Sequence, residues 1–219
     1  MKLAVFGATG KTGRHLVQQG LAKGHDVAVL VRDPAKLGLE NPKLRVVKGD
    51  VLSDAAAVEQ TVAGVEVVLV ALGASSIKKP TSIVEEGTKA IMAAMRKTGA
   101  RRLVVISTVG AHETSQQAGF VFHRILRPLM RTLAPTAHHI VFVDKERMED
   151  AVRQTDLDWT LVRAPRLVEG PFTGKWRTLM PGEPGLSTRS LSFADLAGYM
   201  LQAAEDPKLV KTAPIVQPA

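Results

Sequence analysis

Apolar residues fall along this chain in two alternating rhythms. Short apolar-rich runs at 3–6, 26–31, 44–47, 65–72 and 103–106 read as strands, those at 3–6 and 26–31 as buried ones, the habit of parallel sheets. Between them lie stretches with helical spacing. The first runs over 12–23, with Leu16, Val17 and Leu21 on one face and Gly24 at its end. Asp33-Pro34 suits a turn that opens a short helix. Ser53 or Asp54 caps a helix over 55–62, closed by Gly64. Ser82 and Glu85 have capping-box spacing and open a helix over 82–98, closed by Gly99. Strand and helix thus alternate with short links, which predicts a single-domain α/β fold with a doubly wound parallel sheet and right-handed crossovers. The later half is less regular. It predicts helices over 120–133, 140–155 and 193–204, strands at 160–162 and 215–216, and loops over 166–187.

The link after the first strand is Gly7-Ala8-Thr9-Gly10-Lys11-Thr12-Gly13. Gly10-Lys11-Thr12 resembles the end of a nucleoside-triphosphate loop, but that motif needs four residues between its glycines and here there are two. The spacing instead matches a dinucleotide site. Gly7 permits the tight turn, Gly10 lets backbone approach a pyrophosphate, and Gly13 lets helix pack on strand. The helix N-terminus supplies amide donors, with Thr9, Lys11 and Thr12 around the same phosphates.

The end of the second strand selects the dinucleotide. An acidic residue there would bond a ribose 2′-hydroxyl. This chain has Arg32, which suits a 2′-phosphate, with Lys36 and Lys11 adding charge. The expected cofactor is therefore NADP(H), with Asp33 assigned to capping. Asp50 is open between accepting from the adenine amino group and a plain loop role, while Val51 packs on the ring. Ala71, Leu72 and Gly73 end the fourth strand with small or apolar residues that let the cofactor approach backbone.

Composition narrows the partners. The 219 residues carry a net charge of +8, but the basic residues are scattered and not interleaved with aromatics, so a small polyanionic ligand is expected and nucleic acid is not. With no cysteine, disulfides, zinc-thiolate sites and cysteine nucleophiles are excluded. No signal-peptide layout and no membrane-spanning run is found, so a cytoplasmic protein without transmembrane segments is expected; the oligomeric state is not set by the sequence, with a monomer favoured. His138-His139 suits a helix start and not a metal site, because adjacent residues do not share a helix face.

The stretches GATGKTG (7–13), VRD (31–33), GDV (49–51), ALGA (71–74), IST (106–108), DLDWTLVRAP (156–165) and GPFTGKW (170–176) together resemble the atypical branch of the short-chain dehydrogenase/reductase superfamily. Within it the chain is most similar to the NmrA-like NAD(P)H-binding proteins and the flavin reductase (NADPH)/biliverdin reductase B group. The resemblance implies NADP(H) across the carboxyl ends of the strands, Ser107 and Thr108 beside the nicotinamide, and the segment at Pro165 holding its carboxamide. It also implies a tyrosine four residues before a lysine as proton relay. Lys145 is present, but position 141 is Val and the only tyrosine is Tyr199, expected to pack within its own helix. Lys145 is open between the nicotinamide ribose and an exposed pair with Glu149. Without the relay, ketones and alcohols are disfavoured against conjugated acceptors such as flavins, tetrapyrroles and quinones, which spread the arriving charge.

The substrate region is expected from segments 108–140 and 165–192, with His112 and Phe120 as contacts. The segment 120–133 carries a wide apolar face and three arginines. It reads as a helix on the sheet edge, a lid, a partner-binding helix or a membrane-surface helix. The function expected is an NADPH-dependent reductase of a conjugated acceptor; the alternative is a non-catalytic NADP(H) sensor or partner-binding regulator.

Overall fold

The computed structural model describes residues 1–74, 81–112 and 122–219. The strands are β1 (Lys2–Phe6), β2 (Asp26–Val31), β3 (Leu44–Lys48), β4 (Val67–Val70), β5 (Arg102–Thr108), β6 (Asp158–Ala164), β7 (Leu167–Val168), β8 (Trp176–Leu179), β9 (Leu191–Ser192) and β10 (Ile215–Pro218). The helices are α1 (Lys11–Ala22), α2 (Ala55–Val62), α3 (Ile83–Thr98), α4 (Arg127–Leu133), α5 (Pro135–His138), α6 (Asp144–Arg153) and α7 (Phe193–Glu205).

The apolar strands β1, β2, β4 and β5 lie together with both faces covered, while β3 forms an edge of the sheet and is mostly exposed. The main sheet has the order β3-β2-β1-β4-β5-β6-β10-β8, parallel except for β8, which runs antiparallel to β10. Val5 stands opposite Val29 on one side and Leu69 on the other. Side chains then alternate between two cores. Leu3, Val5, Val29, Leu69 and Val104 pack with Leu16 and Val17 of α1 and Leu196 and Met200 of α7. Ala4, Phe6, Val68, Val70 and Val105 pack with Val58 of α2, Ile91 and Met95 of α3 and Met148 of α6. Fully burying one such Leu or Phe stabilises by roughly 1.5–3 kcal/mol. The strand order reverses between β2-β1 and β4-β5. At such a switch point the loops leaving the carboxyl ends diverge and open a crevice.

Several expectations shift. The fourth strand is shorter than 65–72, and β5 and β6 are longer than expected, reaching Thr108 and Ala164. The stretch 166–187 is not wholly loop: it holds β7 and β8, whose pairing partners β9 and β10 lie far along the chain. Asp54, not Ser53, caps α2 by accepting from Ala57 N at 3.0 Å. Ser82 makes no side-chain cap; the carboxylate of Asp144 accepts from Val84 N (3.1 Å) and Glu85 N (2.8 Å) instead. The expected helices over 120–133 and 140–155 form over the described residues 122–133 and 135–153, but not as regular α-helix throughout. Single π-helical turns at Phe122–Leu126 and His139–Val143 precede α4 and α6.

Candidate functional site

A cleft of about 600 Å³ opens at the carboxyl ends of β1 to β5. Its floor begins at the glycine loop. Gly7 has φ +83°, and a Cβ there would come within 2.4 Å of the Ala71 carbonyl oxygen. At Gly13 a Cβ would come within 2.0 Å of the Gly7 carbonyl oxygen. These two glycines are demanded by the protein itself. Gly10 is different: its Cβ would meet only the Gly7 oxygen, at 3.1 Å, and its cleft side is open. Gly10 is also the N-cap of α1 and offers no side-chain acceptor, and the first turn has no acidic residue. The amides at the start of α1 thus lack the partner that caps most helices, a pattern that suits an anion.

Gly7, Thr9, Gly10, Lys11, Thr12, Arg32, Asp50, Val51, Ala71, Leu72 and Gly73 all line this cleft. Gly13 supports the loop from beneath. Arg32 is largely exposed, its Nε 3.9 Å from Asp50 Oδ2. Asp50 also closes its own turn by accepting from Leu52 N at 2.9 Å. Asp33 caps the short turn Pro34–Lys36 by accepting from Ala35 N. The two cations expected beside Arg32 have partners of their own. Lys36 pairs with Asp33 at 3.9 Å and does not line the cleft. Lys11 pairs with Glu169 at 3.0 Å and lies over the Phe193 ring, on the side of the cleft next to β7 and α7. Arg14, which no motif singled out, donates to the Thr9 carbonyl (3.3 Å) and the Lys36 carbonyl (2.5 Å), tying the glycine loop to the 34–36 turn.

The other end of the cleft is built from side chains brought in by α3, α6 and the turn before α6. Ile83, Val84, Ile106, Ile140, Val141 and Lys145 line it. Lys145 is half-buried, and no hydrogen bond or ion pair to it is found among the described residues. Burial pushes its ammonium below the ordinary lysine value, against the opposing pull of Asp144 and Glu149. The exposed Lys145–Glu149 pair does not form: Glu149 is fully buried and holds Arg163, with Arg163 Nε at 3.0 Å and NH2 at 2.5 Å from its two oxygens. Asp144 spends its carboxylate on the start of α3, and burial raises its pKa despite those amide donors. Neither arrangement has a local signature, because each partner lies 14 to 60 residues away.

Ser107 and Thr108 end β5, opposite Arg163 and Ala164 of β6. Ser107 Oγ is buried with no hydrogen-bond partner among the described residues, and Thr108 Oγ1 donates to the Val109 carbonyl at 3.2 Å. Both stand beside the cleft and outside its lining, as does Pro165 just past β6. His112 is not in the cleft. Its backbone is left-handed (φ +43°), its N–H donates to Glu146 Oε1, and its ring contacts the Glu146 carbonyl and Asp150 Oδ1. Phe120 lies outside the described residues. Tyr199 is buried edge-on to Trp176 with ring centroids 6.0 Å apart, far from any relay role. His138 is buried against Phe142, and among the described residues no group of three His, Asp or Glu side chains is placed to hold a metal ion. Among them, too, no helix is long and apolar enough to cross a membrane.

Comparison with known proteins agrees with this geometry. Residues 7–207 match the family described as NAD(P)H-binding. The chloroplastic protein At2g34460 of Arabidopsis thaliana is 28% identical over 198 residues, 87% of this chain and 67% of that protein. The ceramide reductase of Caulobacter vibrioides is 30% identical over 169 residues, 75% of this chain but only 46% of that protein. Among solved structures, ChuY, an anaerobillin reductase from Escherichia coli O157:H7, shares the fold with a TM-score of 0.78 at 18% identity, covering 100% of both chains.

Proposed function

The chain belongs to the NAD(P)H-binding family, and from that premise we propose that it is an NADPH-dependent reductase of a conjugated acceptor, a flavin, tetrapyrrole or quinone. The residues present suit such a cofactor. The uncapped start of α1 and the open side of Gly10 would hold the pyrophosphate. Arg32 would pair with the 2′-phosphate, Asp50 and Val51 would border the adenine, and Ala71, Leu72 and Gly73 would pass along the cofactor's length. Lys145 would reach the nicotinamide ribose, with Thr108, Ser107 and Pro165 around the nicotinamide. When bound, the reduced nicotinamide supplies the hydride.

One observation carries the choice of acceptor. Val141 lines the cleft one helical turn before Lys145, so the position that would carry a hydroxyl relay presents a hydrocarbon surface. A ketone's developing alkoxide would find no hydroxyl donor there. A conjugated acceptor delocalises the arriving charge and can take its proton from water. Reductase-named relatives such as the ceramide reductase support the reaction class.

Purified protein incubated with NADPH and a panel of flavins, quinones and tetrapyrroles should oxidise NADPH with at least one of them, followed at the nicotinamide absorbance. Arg32→Glu should lower the preference for NADPH over NADH by about ten- to a hundredfold, the worth of one charge-assisted pair. An unchanged preference would overturn the role of Arg32. Tight NADPH binding with no turnover across the panel would favour a cofactor-sensing regulator, the reading that Val141 also permits.

A further inference from the structure

The segment that precedes α5 carries an apolar stripe that stands exposed among the described residues. Ile125, Leu126, Leu129 and Leu133 are 55%, 46%, 48% and 75% exposed, and α4 has no buried residue at all. Ile125, Leu129 and Leu133 recur at four-residue spacing and so share one face of the helical segment. Arg124 and Arg131 are exposed beside them. The third arginine, Arg127, faces inward. It donates to the Gly110 carbonyl (3.1 Å), pairs with Glu146 (2.5 Å) and lies over the Phe142 ring. The helix is thus clamped to α6 and to the end of β5 by one side chain, while its apolar face looks outward.

The charge of this region restricts what can cover the stripe. From position 114 to position 143 the sequence has no Asp or Glu, but three Arg and three His, within a chain of net charge +8. A second copy packed on the same face would bring like-charged arginines together with no acidic residue of the segment to meet them. An anionic lipid surface offers both halves of the required chemistry: acyl chains for the leucines and phosphates for the flanking guanidiniums.

We propose that residues 124–133 dock the protein on an anionic bilayer, with Ile125, Leu126, Leu129 and Leu133 in the interface and Arg124 and Arg131 at the headgroups. The docking would be peripheral, since the stripe is a single helical face of about ten residues.

Cosedimentation of the full chain with extruded vesicles tests this. Binding should be about tenfold stronger to phosphatidylcholine containing about 30% phosphatidylglycerol than to pure phosphatidylcholine, and should fall as salt rises. The variant Leu129→Glu/Leu133→Glu should lose at least about tenfold in partitioning while keeping NADPH binding and circular dichroism unchanged. Arg124→Glu/Arg131→Glu should weaken binding to the anionic vesicles alone. Absence of wild-type binding to anionic vesicles would overturn the proposal. So would equal binding by the leucine double variant, which would leave only the net charge at work. A wild-type dimer in light scattering that the leucine double variant converts to monomer would assign the stripe to self-association instead.

Discussion

The two ends of the cleft are shaped by different physics. At the glycine-loop end the constraint is steric and lies in the backbone: Gly13 has no room for a Cβ against Gly7, nor Gly7 against Ala71. Almost nothing charged is buried there, and Arg32 stands largely in water. At the lysine end the constraint is electrostatic. Glu149 and Arg163 form a fully buried pair, Asp144 is buried against the start of α3, and Lys145 sits half-buried with its ammonium disfavoured. A backbone turn holds its shape at little cost in desolvation, whereas a buried charge lowers stability unless it is matched. The lysine end is therefore where this protein gives up stability.

Breaking the buried pair should have the largest effect. Glu149→Leu leaves the Arg163 guanidinium at the carboxyl end of β6 without its bidentate carboxylate, and should cost about 3–5 kcal/mol in urea unfolding. The double variant Glu149→Leu/Arg163→Met should recover most of that loss. If the single variant proves neutral, the contrast between the two ends fails.

Gly13→Ala should cost roughly 1–3 kcal/mol, since the added methyl would strike the Gly7 carbonyl. Gly10→Ala, whose methyl would stand 3.1 Å from the Gly7 oxygen against 2.0 Å at Gly13, should cost less stability than Gly13→Ala yet weaken NADPH binding, because the methyl would project toward the cleft. Equal destabilisation by the two variants would show that the loop is built for folding alone.

Lys145→Met removes a disfavoured ammonium from the lysine end. It should raise the unfolding temperature by a few degrees and lower turnover by about a hundredfold. A variant that loses stability and activity together would make Lys145 a structural residue.

The smallest effect is a pH dependence. Burial is the main cause that lowers the pKa of both His25 and His138 below the ordinary 6.5. Both are favoured as neutral rings in the folded state. Their contribution is complete above about pH 6.5 and is lost as pH falls through the lowered folded values. The unfolding temperature should drop modestly between pH 7 and pH 5. His138→Gln should flatten the part that arises near Phe142, beside the lysine end, and His25→Gln the part at the N-terminal amine.

Much of the fold was legible because its causes are local or periodic. The runs that became β1, β2, β4 and β5 are apolar where helices cover both faces of the sheet, whereas β3, at the sheet edge, carries Arg45 and Lys48 and is mostly exposed. Asp33 and Gly99 act where their turn chemistry placed them. The misreadings have one physical origin. Ser82 lost the capping of α3 to Asp144, a stronger acceptor from another helix. Strand β8 was unreadable because its partner β10 arrives some 40 residues later. His112 left the cleft because Glu146 and Asp150 offered it partners on α6.

By itself, the order of residues determined the glycine loop, the arginine after β2 and the valine at 141, since each depends on a side chain or its absence within a few consecutive positions. Only the tertiary structure decided that Lys145 is half-buried, that Asp144 caps α3, that Glu149 holds Arg163, and that the leucines of α4 face outward. Each of those depends on which distant group displaces water from a polar or apolar side chain, and desolvation is a property of the assembled fold.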